Sequence, residues 1–245
     1  MKQLSFLILF FMSFALHAEQ VAATVSWAQI ATLSTPLNGM VASVKVDIGD
    51  KVKKGQLLAT LDASPLKAEL KRAEAVLQGR SSTYEEEKRE LERAEELFDR
   101  TVLSQTELQA AQLKHSLARA EFGRAEAEVE QAKINLRYSR VTAPFSGIVV
   151  ERNVHPGEVV ANQFRVTPML RLARAGRLAA TAVVSAQQAS RVSLGDKLKL
   201  TLNGEEVSGH VSRIVAADQG TNIIVTITFK AISGMMGWGI ATLDF

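Results

Sequence analysis

The sequence predicts an elongated α+β protein of several domains. A small β-sandwich is split in two, an antiparallel α-helical coiled-coil hairpin is inserted between its halves, and a small antiparallel β-barrel follows. Three observations carry this prediction. Apolar residues recur every seven positions through 63–101 and again through 105–140, which is the signature of a coiled-coil seam. A short β-rich pattern on one side of these arms returns on the other at a fixed offset of 108 residues. Beyond it, Val-, Ile- and Thr-rich runs alternate with Asn-Gly, Gln-Gly and Ser-Gly pairs, the spacing of strands in a small barrel.

Residues 1–18 read as a secretory signal. Lys2 supplies the positive start, Leu4–Leu16 the apolar run and Ala18 the small residue at the cut. The run is short for a membrane span, although a retained N-terminal anchor is the alternative. Cys is absent, which excludes disulfides, thiolate metal sites and a Cys nucleophile. A net charge of +3, with no basic patch interleaved with aromatics, gives no reason to expect nucleic acid.

Residues 19–62 and 141–173 are the two sandwich halves. Val21–Leu33 reads as a strand leading into the first. Thr35–Val41 is answered by Ala143–Val149, Val46 by Val154, Gly49-Asp50 by Gly157-Glu158, and Val52 by Val160. Such a repeat means two similar units, each too small to bury a core alone. The repeated glycines Gly39, Gly49, Gly147 and Gly157 are expected at turns with positive φ.

Residues 63–140 are the hairpin. The first arm places Leu70, Leu77, Tyr84, Leu91 and Phe98 on its seam; the second places Leu108, His115, Phe122, Val129 and Leu136. The companion positions are Ala111, Ala118, Ala125 and Ala132 in the second arm. In the first they include Ala73, Arg80, Glu87 and Ala94, so that seam weakens in the middle. Ser64 is the expected N-cap, with Pro65 at the first helical position. Equal arms around the break Val102-Leu103-Ser104 imply an antiparallel turn. Residues 174–245 form the barrel: strands are expected over Leu178–Ser185, Leu198–Leu202, Glu206–Val215, Asn222–Phe229 and Met236–Phe245, with a helical turn at Ala186–Val192.

This order of parts resembles the periplasmic adaptor subunits, or membrane fusion proteins, of tripartite efflux pumps, and those of resistance-nodulation-division pumps above all. The split sandwich is similar to a lipoyl-type (barrel-sandwich hybrid) domain, through the Gly-Asp-x-Val-x-x-Gly-Gln turn of residues 49–56 and the Ala143–Gly147 opening of the second half. Arg93, Leu97 and Ser104 fall at the family's hairpin-tip spacing. The resemblance implies that this trio meets an outer-membrane channel, that the partners are that channel and an inner-membrane transporter, and that copies assemble in a ring. It implies a periplasmic location, no enzymatic activity and no cofactor. Those adaptors usually continue into a membrane-proximal domain, whereas Phe245 ends this sequence within the barrel. Contact with the pump is therefore expected through the barrel or a companion adaptor.

Other readings stand beside these. Arg93 and Leu97 also fit a solvated helix face, and Ser104-Gln-Thr-Glu107 fits a capping box. An adaptor of an ABC-type exporter or type I secretion system shares the architecture. A biotinyl or lipoyl carrier needs a modifiable Lys in the turn between halves, and there the hairpin stands instead; Lys53 and Lys54 lie in another turn. His115 sits on the seam, His155 and His210 stand alone, and no two His have metal-ligand spacing. Met235-Met236 reads as strand filling rather than soft-metal handling. The run Glu85–Glu90 reads as a solvated face with local ion pairs. No catalytic triad, carboxylate pair or phosphate loop is present in the sequence.

Overall fold

A computed structural model describes residues 20–162, 166–217, 222–231 and 237–244. The signal segment and Met235-Met236 lie outside the described residues. The chain divides into two compact units, Ile30–Ala173 and a second formed by the segment up to Gln29 together with residues from Arg174 onward.

The first unit holds the sandwich and the hairpin. Its strands are β2 (Ile30–Leu33), β3 (Gly39–Val44), β4 (Lys51–Val52), β5 (Leu57–Leu61), β6 (Arg140–Thr142), β7 (Gly147–Arg152), β8 (Val159–Val160) and β9 (Leu170–Arg174). They form two sheets, ordered β2-β9-β7-β4 and β6-β5-β3-β8. The two repeats are interlocked. β4 of the first half pairs with β7 of the second, with Lys51 opposite Ile148. β8 of the second half pairs with β3 of the first, with Val159 opposite Met40. Each pairing is the other displaced by 108 residues. The turns obey the same symmetry. Gly49 N–H donates to the Val149 carbonyl at 2.8 Å, and Gly157 N–H donates to the Val41 carbonyl at 2.8 Å. Lys54 N–H donates to Ser146 Oγ at 3.2 Å, and Asn162 N–H to Asn38 Oδ1 at 2.8 Å.

The repeated valines are the core. Val41 and Val149, Val46 and Val154, Val52 and Val160 are all buried in one cluster with Leu58, Met169, Leu170 and Leu172. Each such valine contributes roughly 2 kcal/mol through its removal from water. Neither half can close this cluster by itself, because every turn hydrogen-bonds to the opposite half.

The four repeated glycines divide by role. Gly49 (φ 95°) and Gly157 (φ 90°) occupy the left-handed region, which a side chain would strain. Gly39 and Gly147 are not turn residues; they open β3 and β7. Gly147 is required by packing, since an added Cβ would stand 2.1 Å from the Ala173 carbonyl oxygen.

The hairpin leaves and rejoins this unit on adjacent strands. β5 runs into α1 (Ser64–Asp99), and α2 (Gln105–Tyr138) runs into β6, while β5 and β6 pair antiparallel with Thr60 opposite Arg140. At 1.5 Å per residue, α1, with its 36 residues, is about 54 Å long. The helix start differs from the sequence expectation. Ala63 is the N-cap without a side-chain bond, and Ser64 is the first helical residue, its N–H held by Asp62 Oδ1 at 3.0 Å. The return point is tied down more firmly. The buried Thr35 hydroxyl donates to the Tyr138 carbonyl at 2.8 Å, and Leu61 N–H donates to the Ser139 carbonyl at 2.8 Å. These bonds satisfy carbonyls that the end of a helix would otherwise leave unpaired.

The seam follows the heptads, with one local change. Ala73, Ala94, Ala118, Ala125, Val129 and Ala132 are buried along it. Tyr84 stacks against both His115 and Phe122, each with ring centroids 5.4 Å apart. In the weak middle, Arg80 is not a seam residue. The half-buried Ser81 takes its place, and Arg80 reaches out to Glu121 across the helices, at 3.7 Å.

The second unit is a closed antiparallel barrel, ordered β1-β10-β13-β12-β11-β14. The strands are β1 (Gln20–Trp27), β10 (Arg177–Ser185), β11 (Lys197–Leu202), β12 (Glu205–Ala216), β13 (Asn222–Lys230) and β14 (Gly239–Asp244). Here the sequence reading is corrected. Residues 20–27 were expected in the first sandwich half, yet β1 pairs with β10 and β14 and closes the barrel. The physical reason is edge satisfaction. Without β1, β10 and β14 would each present an unpaired edge, and the alternating Ala23, Val25 and Trp27 complete the interior. A one-turn helix, α3 (Ala186–Ala189), follows β10 and is capped by Ser185 and Gln188. Asn203 and Gly204, both at positive φ, make the two-residue hairpin between β11 and β12.

Gly147→Ala is expected to destabilise the chain by about 3 kcal/mol, through the clash with a backbone oxygen. Gly123→Ala, in α2 with open space around the added Cβ, is expected to stabilise it by about 1 kcal/mol. Urea unfolding followed by circular dichroism measures both. Equal effects from the two alanines would refute the assigned role of Gly147.

Candidate docking site at the hairpin tip

The tip is the end of the hairpin where α1 stops and α2 begins. The stop is a Schellman motif. Thr101 N–H donates to the Phe98 carbonyl at 2.8 Å, and Val102 N–H donates to the Leu97 carbonyl at 3.0 Å. The residue required in the left-handed conformation is Thr101, at φ 63°. Glycine usually fills that position, and a β-branched residue there is strained.

α2 begins with a complete capping box. Ser104 Oγ accepts from Glu107 N–H at 3.3 Å, and Ser104 N–H donates to Glu107 Oε2 at 2.9 Å. The Ser104 hydroxyl also donates to that carboxylate, at 2.6 Å. The side-chain bond from Ser104 and the backbone bond beside it hold the Glu107 carboxyl below its ordinary value of 4.5. Ser104 is thus occupied in holding the turn.

Arg93 and Leu97 lie one turn apart on α1 and are both exposed. The Arg93 guanidinium pairs with Glu90 at 3.2 Å and Glu86 at 3.4 Å. It can still change partners, because exposed ion pairs of this kind are weak. Leu97 is 41% exposed. Beside it, Phe98 is 38% and Val102 71% exposed. The heptads place Phe98 on the seam, and Val102 opens the break between the arms. Ala94 is the last buried seam residue of α1, and Phe98, one turn further on, is only partly covered. The tip therefore presents Leu97, Phe98 and Val102 as an apolar patch, next to an arginine with several fixed donors. Such a surface suits a protein partner that offers apolar contacts and backbone or carboxylate acceptors.

Other sequence-singled groups have structural partners. His115 is in the Tyr84 stack. His155 Nδ1 lies 3.5 Å from Glu158, and His210 Nδ1 lies 3.3 Å from the Gly195 carbonyl. Among the described residues no cluster of His, Asp or Glu could hold a metal, and no helix is long and apolar enough to cross a membrane.

Thr101→Gly is expected to raise stability by about 1 kcal/mol, and Ser104→Ala to lower it by about 1 kcal/mol. Chemical unfolding measures each; a destabilised Thr101→Gly variant would contradict the strain assigned to that residue. Because the Glu107 carboxyl is held low in the folded state, its contribution is present above its ordinary value of 4.5. It is lost as pH falls through the lower folded value. The protection of the Ser104 and Glu107 amides, measured against their intrinsic exchange rates at each pH, should therefore fall on acidification below that value, and should not do so in Glu107→Gln.

Comparison with known proteins agrees with this architecture. The family description "CzcB-like, barrel-sandwich hybrid domain" matches residues 29–168. The chain is 35% identical over 112 residues to the efflux pump periplasmic linker BepD of Brucella suis, covering 46% of this chain and 28% of that protein. It is 27% identical over 213 residues to the nickel-cobalt-cadmium resistance protein NccB of Alcaligenes xylosoxydans, covering 84% and 51%. To the multidrug resistance protein MdtA of Erwinia amylovora it is 33% identical over 139 residues, covering 57% and 34%. The chain thus spans about half or less of the length of these relatives. Its fold is similar to that of the membrane fusion protein Spr0693 of Streptococcus pneumoniae R6, with a TM-score of 0.72 and 18% identity over 92% of this chain and 96% of that one. It is also similar to a MacA–MexA chimera carrying the Pseudomonas aeruginosa MexA α-hairpin, with a TM-score of 0.71 and 21% identity over 93% and 82%. The match over residues 29–168, which spans both the sandwich and the hairpin, covers more than half of the chain, and the chain belongs to the CzcB-like, barrel-sandwich hybrid domain family.

Proposed function

We propose that this chain is a periplasmic adaptor that links an inner-membrane efflux transporter, of the resistance-nodulation-division class, to an outer-membrane channel for export of small molecules. The observation that carries the reading is the apolar tip beside Arg93 on a stiff hairpin rooted in an interlocked sandwich. Apolar residues at the end of such a spar gain nothing from the chain's own core, and a partner's helical tip would cover them. Relatives named as an efflux linker and as multidrug and metal resistance proteins support the same reading. The chain acts as a spacer rather than an enzyme. Several copies stand side by side in a ring, and weak single tips add up because many engage together. Residues 1–18 direct the chain to the periplasm.

The absence of cysteine makes the test clean. Val102→Cys lies at the tip, where only the backbone N–H of Val102 takes part in the cap, whereas Ser146→Cys lies in the sandwich beside Lys54. With a short thiol-to-amine crosslinker in the native host, Val102→Cys is expected to capture the outer-membrane channel and Ser146→Cys is not. Arg93→Ala and Leu97→Ala are expected to abolish that capture and the efflux phenotype while leaving Tm essentially unchanged. Full efflux from both variants would remove the tip from the docking role. Copurification of an ATP-hydrolysing transporter in place of a proton-driven one would move the adaptor to an ABC-type system.

A further inference from the structure

The outer face of the barrel carries a cationic depression that the adaptor reading does not use. β10 and β13 set Arg177 directly opposite Lys230. Like charges at facing cross-strand positions repel. Among the described residues neither side chain has a carboxylate within salt-bridge distance. The hairpin arginines Arg72, Arg89, Arg93 and Arg124 each have one; here two cations without one face each other across a strand pair. On β12, His210 stands opposite Thr228. With Gly176 and Ser208, these residues line an open depression of about 550 Å³. Further cations extend the face, with Lys197 opposite His210 and Lys199 opposite Ser208. The nearby carboxylate of Glu206 is engaged by Lys199 at 3.1 Å. The depression thus brings together two uncompensated cations, two hydroxyls and an imidazole. That donor set fits an anion with several oxygens at tetrahedral angles, and two positive charges match its charge.

We infer that this depression binds a phosphate group. The phosphate is carried either by the headgroup of an anionic lipid or by a soluble phosphate compound. The inference is independent of the tip and of any channel partner. The repulsion between Arg177 and Lys230 is the cost that a bound phosphate offsets.

The test uses the full chain after export. Cosedimentation with phosphatidylcholine vesicles containing phosphatidylglycerol, against pure phosphatidylcholine, probes the lipid source. Titration calorimetry with inorganic phosphate and glycerol phosphate probes the soluble source. Binding is expected in at least one arm, and the arm that responds names the source. At about one decade of affinity or slightly less per cation, Arg177→Gln with Lys230→Gln is expected to weaken it roughly thirtyfold. Arg191→Gln, outside the depression, is expected to leave it within about twofold. A thermal melt of the double variant should match the parent or exceed it, since a repulsion has been removed. No binding to any probe, or an equal loss in Arg191→Gln, overturns the inference; the latter would mean attraction by net charge alone.

Discussion

The structure depends on a reciprocal exchange between two backbone carbonyls and two glycine amides. Val149 accepts from Gly49, and Val41 accepts from Gly157, both at 2.8 Å. Each turn is completed by the opposite half, and the six valines of the repeat meet in one cluster. The halves cannot form in sequence as separate units. They form together, so the chain between them is free to be long without opening the core. Loop-closure entropy grows only slowly with length, and a self-packing hairpin reduces it further.

That freedom is what the hairpin occupies. β5 and β6 lie side by side, so the chain leaves and returns at neighbouring points, and the antiparallel helix pair needs no distortion to close. Thr35, Leu61 and Ser139, all three buried, then fix the root with hydrogen bonds. Rigidity at the root matters at the tip, since a small angular error is magnified over a helix about 54 Å long. The tip itself is built with a strained Thr101 and a fully used Ser104. The turn is therefore held in one shape while Leu97, Phe98 and Val102 stay outside.

Much of this could be read from the chain itself. The seven-residue period gave the hairpin because α2 keeps its apolar residues on one face from Leu108 to Leu136. The 108-residue offset gave the split sandwich because the buried positions carry the same side chains in both halves. Other features were hidden. Gly147 looks like a turn glycine until the Ala173 carbonyl is seen beside it. Ser81 takes the seam from Arg80 because a local shift of register is cheaper than burying a guanidinium. Phe98 keeps the heptad period yet is only partly covered, which no period reveals.

The sequence by itself determined the kinds of element, their order and the capping box of Ser104 and Glu107, because those depend on neighbours three to seven residues apart. Only the tertiary structure decided that Gln20–Trp27 closes the barrel rather than the sandwich, that the repeats are interlocked through each other's turns, and that Arg177 faces Lys230. Those outcomes rest on which strand edges and which charges meet across more than a hundred residues, or across a sheet. Local propensity carries no record of such meetings; hydrogen-bond satisfaction at strand edges and the filling of a shared core select them.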